Sequence, residues 1–398
     1  MSKICSMVCK KSTGFLDEST FSTKKWRMRI LIAPDKFKGS LSAKQAAEAI
    51  ARGFSKVFPS ATCTLLPLAD GGEGLLNAFQ DNGNFTLQET QVRDALGRPA
   101  TASWLLKKES TRVTAIIESS QANGLWRIAA PDRNPARSST YGVGGLINAA
   151  ISARATEILI GIGGSATNDA GVGVAAALGY HFLDASNKEL EPIPENFLKI
   201  TRIDSTQVPT LPTIRVACDV KNPLLGPRGA TRVYGPQKGI APENLDTAEA
   251  GMLHISSIAA EHFKNDFSEH PGAGAAGGLG FGLMTFCHAT LESGFDCIAK
   301  TLNAEQHIAA ADLVITAEGS LDSQTLEGKT PIGVSQLARK HGIPVYALAG
   351  KISDPEMLQA HFHGMDSILN GGVTLEQAIA NASELLEQAA TRLATTIS

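Results

Sequence analysis

The segment Glu318-Gly319-Ser320-Leu321-Asp322, with Gly328-Lys329-Thr330-Pro331 close behind it, brings two carboxylates and an ammonium group into one short stretch. The apolar run Leu313-Val314-Ile315 precedes it and a helical pattern, Ile332 to Lys340, follows. Acids therefore sit where a strand should end, and a lysine sits just before a helix. Thr330 is predicted as the N-cap and Pro331 as the first helical residue. Free N–H groups at a helix start attract anions, and Lys329 adds a full charge. Acids that hold a cation beside a seat for phosphate point to phosphoryl transfer. A P-loop is excluded by spacing, because G-x-x-x-x-G-K-[ST] requires glycine at position 323 and the residue there is Ser323.

The same chemistry recurs along the chain. Asp35 with Lys36 and Lys38, Asp70 with Glu73, then Asp169 and Asp219, all lie just past predicted strand ends with glycines nearby. In open α/β sheets ligands bind outside the carboxyl ends of the strands. Phosphoryl transfer needs carboxylates for Mg²⁺, cations and N–H groups for phosphate oxygens, and a base for the attacking hydroxyl. The loop Gly161-Ile162-Gly163-Gly164-Ser165-Ala166-Thr167-Asn168-Asp169 admits a second reading. Gly161, Gly163 and Ala166 fit G-x-G-x-x-A, and Asp184 follows at a dinucleotide-binding distance. Ser165, Thr167, Asn168 and Asp169 argue against it, since hydroxyls, an amide and an acid suit phosphate and a hydroxy acid. Lys238, in Gly235-Pro236-Gln237-Lys238-Gly239, reads either as a ligand-binding cation or as a solvated turn lysine. Pro271 to Gly280 carries no charge and offers backbone N–H groups or close helix packing. Neither a zinc spacing of histidines nor a G-x-S-x-G nucleophile turn occurs.

These residues need a scaffold of strands and helices. Ile30–Ala33, Thr62–Leu68, Leu313–Thr316, Val345–Leu348 and Ser367–Leu369 read as strands alternating with helices, the pattern of a parallel sheet. Between them, Ala100–Leu106 and Val113–Ser119 alternate like antiparallel strands, and Glu157–Ile162 and Ile214–Asp219 read as buried strands. The expected fold is α/β: a Rossmann-like parallel-sheet domain built from both chain ends (28–92 and 290–398), with a mixed α/β domain (93–289) inserted. Residues 1–27 read as a disordered extension rich in Lys, Arg, Ser and Thr. At 398 residues, 43% hydrophobic and 19% charged, the chain fits a globular protein with two cores. A net charge of -3 and 6% aromatics give no support to nucleic-acid binding. Six scattered cysteines without a C-x-x-C pair suit a reducing, cytoplasmic setting, and no apolar run is long enough to span a membrane.

Taken together, the motifs resemble the type I glycerate kinase family of bacteria. The resemblance rests on Ala33 to Ser40, Ala69 to Gly74, Gly163 to Asp169, Ala217-Cys218-Asp219-Val220 with Asn222-Pro223-Leu224, Gly235 to Gly239, Pro271 to Gly280, and Asp322 to Thr325 with Gly328 to Gly333. It implies ATP-dependent phosphorylation of D-glycerate, normally to 2-phosphoglycerate, with Mg²⁺. On that basis Asp169, Asp322 and Lys329 are the catalytic candidates, the two acids as alternative bases. Ser165, Thr167, Asn168 and Lys238 are expected to hold the substrate. Asp35, Lys36, Lys38, Gly71 and Gly72 are expected at the nucleotide, and Asp70, Glu73, Asp219 and Glu318 at the metal. A homodimer stays open, as do an NAD-dependent hydroxy-acid dehydrogenase and a non-catalytic sugar-acid sensor. Three features depart from the family pattern: Ser320 stands where an arginine is usual, Gly145 where a glutamate is common, and the tail before Met28 is extra.

Overall fold

A computed structural model describes residues 27–69, 74–82, 84–327, 329–369 and 372–398. It divides into two compact units. One comprises residues up to Leu68 together with Asn303–Ser398, and the other is Ala69–Leu302.

The first unit is built on five parallel strands in the spatial order Thr62–Leu65, Arg29–Pro34, Leu313–Leu321, Val345–Ile352, Met365–Ser367. Ile30-Leu31-Ile32-Ala33 and Leu313 to Ala317 are buried at every position, as a sheet covered on both faces requires. Helix Ala43–Val57 starts at a capping box between Ser42 and Gln45. It packs on the last helix, Ala382–Ile397, so closely that a side chain at Gly53 would strike Glu387 and Ala390. In chain order the strands run 2-1-3-4-5, so the connections leave Arg29–Pro34 and Leu313–Leu321 in opposite directions. The carboxyl ends of these two strands flank the switch point, where doubly wound sheets bind ligands.

The second unit has a six-stranded mixed sheet, in the order Thr290–Glu292, Thr213–Ala217, Glu157–Gly161, Val113–Glu118, Pro99–Lys108, Thr86–Arg93. The first three pairings are parallel and the last two antiparallel. Helices Tyr141–Ser152, Val172–Ala177 and Ala275–Cys287 contribute to its core, with Ile158, Ile160, Leu283 and Phe286 fully buried. Thr86–Arg93 and Thr290–Glu292 are the two edges of this sheet, so residues 86–92 and 290–302, expected in the Rossmann-like domain, belong to this unit. The architecture is α/β, a parallel-sheet unit from both chain ends with a mixed α/β unit inserted. Among the described residues no helix is long and apolar enough to cross a membrane.

Candidate functional site

In the first unit, chemistry gathers at the switch point. Asp35 follows strand Arg29–Pro34 and donates its backbone N–H to Ala317 O at 2.7 Å. Its carboxylate, 5% exposed, accepts the Thr330 hydroxyl at 2.6 Å and the Lys36 backbone N–H at 2.6 Å. Glu318, inside strand Leu313–Leu321, is 8% exposed and accepts the Thr325 hydroxyl at 2.6 Å. The Thr325 oxygen also accepts the Asp322 N–H at 3.1 Å. Asp322 in turn accepts the Ser320 hydroxyl at 3.1 Å.

Burial pushes the Glu318 carboxyl up to about 7. The Thr325 bond and the Lys329 charge oppose that rise, while the like charges of Asp35 and Asp322 add to it. Asp35, Asp322 and Lys329 therefore all act on Glu318 at the switch point. Thr330 corrects the expected cap. Lys329 is the N-cap of helix Thr330–Lys340, and Thr330 lies inside it. From that position its hydroxyl donates to the Asp35 carboxylate, a strong acceptor. Lys36 is half-buried and Lys38 exposed, both on the loop after the strand.

In the second unit, the expected substrate residues converge on the loop after strand Glu157–Gly161. Lys238 is not a solvated turn residue. It ends helix Ala230–Lys238, is 3% exposed, and donates to Ser165 Oγ at 2.9 Å and Thr167 O at 2.7 Å. Burial pushes its ammonium down to about 7, and the charge of Asp169 works against that fall. Asn168 donates from its amide to Thr231 Oγ1, on the same helix, at 3.1 Å. The glycine-rich segment seals this loop. Ala276, Gly277 and Gly278 have φ of +55°, +73° and +85°, and a Cβ at Gly277 would collide with the Thr167 carbonyl.

Asp169 is fully buried. One of its oxygens accepts the Thr140 N–H at 2.7 Å, the Thr140 hydroxyl at 2.8 Å and the Gly173 N–H at 3.2 Å. The other accepts the Gly171 N–H at 3.2 Å. Burial pushes the carboxyl up, and the four donated bonds pull it down. All four partners donate, so they suit a carboxylate that ties helices Tyr141–Ser152 and Val172–Ala177 to the loop. Asp219 is exposed just past strand Thr213–Ala217 and accepts the Gly294 N–H at 2.8 Å.

Asp70, Gly71, Gly72 and Glu73 lie outside the described residues. Among the described residues no group of three or more His, Cys, Asp or Glu side chains is arranged to hold a metal ion. The donors at the switch point are nonetheless all carboxylate and hydroxyl oxygens. That set matches Mg²⁺, which is usually held through one or two carboxylates together with substrate phosphates. The crowding of like charge around Glu318 is what such a cation would relieve.

Sequence reasoning did not single out Thr140, Thr231, or the run Glu118-Ser119-Ser120 with Asn123. Glu118-Ser119-Ser120 carries the same signal as the other places, an acid with hydroxyls just past a strand. Thr140 and Thr231 carry none, because their partners lie 29 and 63 residues away. The dinucleotide reading gains no support. Its pattern needs a helix opening at the glycines, and the next helix begins only at Val172. Ser165, Thr167 and Asn168 are buried where a pyrophosphate would have to lie.

Comparison with known proteins agrees with this chemistry. The model of the glycerate kinase family matches residues 30–398. The chain is 43% identical over 376 residues to the glycerate kinase of Bacillus subtilis (strain 168), covering 93% of this chain and 98% of that protein. It is 40% identical over 376 residues to the glycerate 2-kinase of Escherichia coli (strain K12), with the same coverage. A crystal structure described as glycerate kinase 2 from Salmonella typhimurium LT2 matches with a TM-score of 0.84 at 38% identity, covering 94% of this chain and 98% of that one.

Proposed function

Because the chain belongs to the glycerate kinase family, we propose that this kinase transfers the γ-phosphoryl group of ATP to the 2-hydroxyl of D-glycerate, giving 2-phosphoglycerate and ADP. The hydroxyl oxygen bonds to phosphorus as the bond to the β-phosphate oxygen breaks, and the hydroxyl proton passes to a base. The observation that carries the reading is the switch point, where the carboxylates of Asp35 and Asp322 and the ammonium of Lys329 all act on Glu318.

In this reading Lys36, Lys38 and Lys329 neutralise phosphate oxygens, with Asp35 ordering the loop and Gly71 and Gly72 offering backbone N–H groups. Mg²⁺ neutralises the β- and γ-phosphates when bound, and Glu318, Asp219, Asp70 and Glu73 are the residues that would hold it. Ser165, Thr167, Asn168 and Lys238 orient glycerate. Asp169 is fully buried with both oxygens engaged, so the base falls to Asp322, which is half-buried. Asp169 then serves as a positioning residue. The scattered cysteines fit a cytoplasmic setting for the enzyme.

The test is ADP release in a coupled assay with ATP, Mg²⁺ and D-glycerate, and ³¹P NMR of the product. Turnover that stops with EDTA and a resonance coupled to the C2 proton are expected. Glycerate binding without ADP release would leave a sugar-acid sensor, and a product phosphorylated at C3 would overturn the position.

A further inference from the structure

We infer that Asn123 is a specificity-determining residue of the acceptor site, its amide oxygen taking the hydrogen bond of the substrate hydroxyl that is not phosphorylated. This rests on the reading of the chain as a D-glycerate kinase. Strand Val113–Glu118 runs parallel to Glu157–Gly161, so the segment after it leaves the sheet at the same end as the Gly163–Asp169 loop. The two are joined by Ser119 N–H to Gly161 O, Leu125 N–H to Gly164 O, and Ala166 N–H to Asn123 O, each at 2.8 Å. The segment is therefore a second wall of the same place.

Asn123 is 1% exposed. Its amide nitrogen donates to Thr167 Oγ1 at 3.1 Å, and its amide oxygen has no partner among the described residues. Asn168 repeats the arrangement, with its nitrogen on Thr231 and its oxygen without a partner. Buried acceptors without donors are rare, and each asks for an explanation. Two of them flank one loop, beside an ammonium group that uses two of its three protons on Ser165 and Thr167. Two acceptors and one spare cationic donor are the complement of a molecule with two hydroxyls and one carboxylate. Asn168 and Lys238 share contact with helix Ala230–Lys238, which places the carboxylate and its neighbouring 2-hydroxyl on that side. The 3-hydroxyl then falls to Asn123.

D-Lactate tests this, since it has the carboxylate and the 2-hydroxyl but no 3-hydroxyl. A site built to bond a hydroxyl discriminates strongly against the analogue that lacks it, and wild-type kcat/KM should favour D-glycerate by about 10³-fold or more. Asn123→Ala should lower kcat/KM for D-glycerate by about 10²-fold and leave D-lactate within about threefold, so that selectivity collapses. Asn123→Asp, which keeps an acceptor, should retain most of the selectivity. Should Asn123→Ala not fold, Asn123→Ser carries the same comparison. A parallel loss on both substrates would reduce Asn123 to a structural part, and a wild-type preference below about tenfold would sink the inference without any variant. Wild-type enzyme that releases no ADP with D-glycerate would instead sink the reading of the reaction itself.

Discussion

Glu318 in the first unit and Lys238 in the second are both buried, and both are displaced to about 7 from opposite sides. Burial is the leading cause in each case, because it disfavours whichever form is charged. The surroundings then differ. Glu318 has neighbours of both kinds: the Thr325 hydroxyl and Lys329 resist the displacement, while the carboxylates of Asp35 and Asp322 add to it. Lys238 gives two of its three protons to oxygens of one loop, and the charge of nearby Asp169 resists its displacement. The first region gathers three acids around one lysine, and the second holds one ammonium group among oxygens of a single loop.

The largest expected effect falls on the first region. Asp322→Asn should lower kcat by about 10²–10⁴-fold with little change in KM for D-glycerate, if it takes the hydroxyl proton. Near wild-type turnover in that variant would remove the base from this region altogether. Lys238→Met should act on the other side of the comparison, lowering kcat/KM for D-glycerate about 10- to 100-fold, the worth of a charged hydrogen bond. An unchanged KM for D-glycerate would show that Lys238 braces the loop without meeting substrate.

Asp169→Asn separates positioning from chemistry. The amide would present donors to backbone N–H groups, and denaturant unfolding should register a loss of about 1–3 kcal/mol. A kcat loss comparable to that of Asp322→Asn, without loss of stability, would return the base to Asp169.

The smallest effects are on pH dependence, and the two regions predict opposite slopes. Glu318 is raised from 4.5 to about 7 in the folded protein. Its contribution to stability is full below 4.5 and is lost as pH rises through 7. Lys238 is lowered from 10.5 to about 7, so the unfolded chain binds its proton more tightly. Stability should rise with pH between 7 and 10.5 on its account. Thermal unfolding of Glu318→Gln should flatten the acid slope alone, and of Lys238→Met the alkaline slope alone. Variants that change neither slope would mean these groups are better solvated than their burial suggests.

Much of the scaffold was legible in advance because its signals are local. Apolar runs such as Ile30 to Ala33 and Leu313 to Ala317 specify buried parallel strands, and an acid after each run is visible without any partner. Sheet order could not be read that way, nor could the unit to which residues 86–92 and 290–302 belong, since no local pattern says which sheet a strand joins. The site divides similarly. Asp35, Glu318, Asp322 and Lys329 announce themselves by type and position. The helix starts one residue earlier than expected, with Lys329 as its cap, and the Thr330 hydroxyl goes to Asp35, 295 residues away, which no local rule includes.

The amino-acid sequence by itself determined the kind of chemistry, because carboxylates, lysines and glycines past strand ends have few other uses in such number. The tertiary structure alone decided which of those groups are charged, engaged or spare. Acidity and hydrogen-bonding capacity depend on burial and on partners far along the chain, and those exist only once the elements have packed.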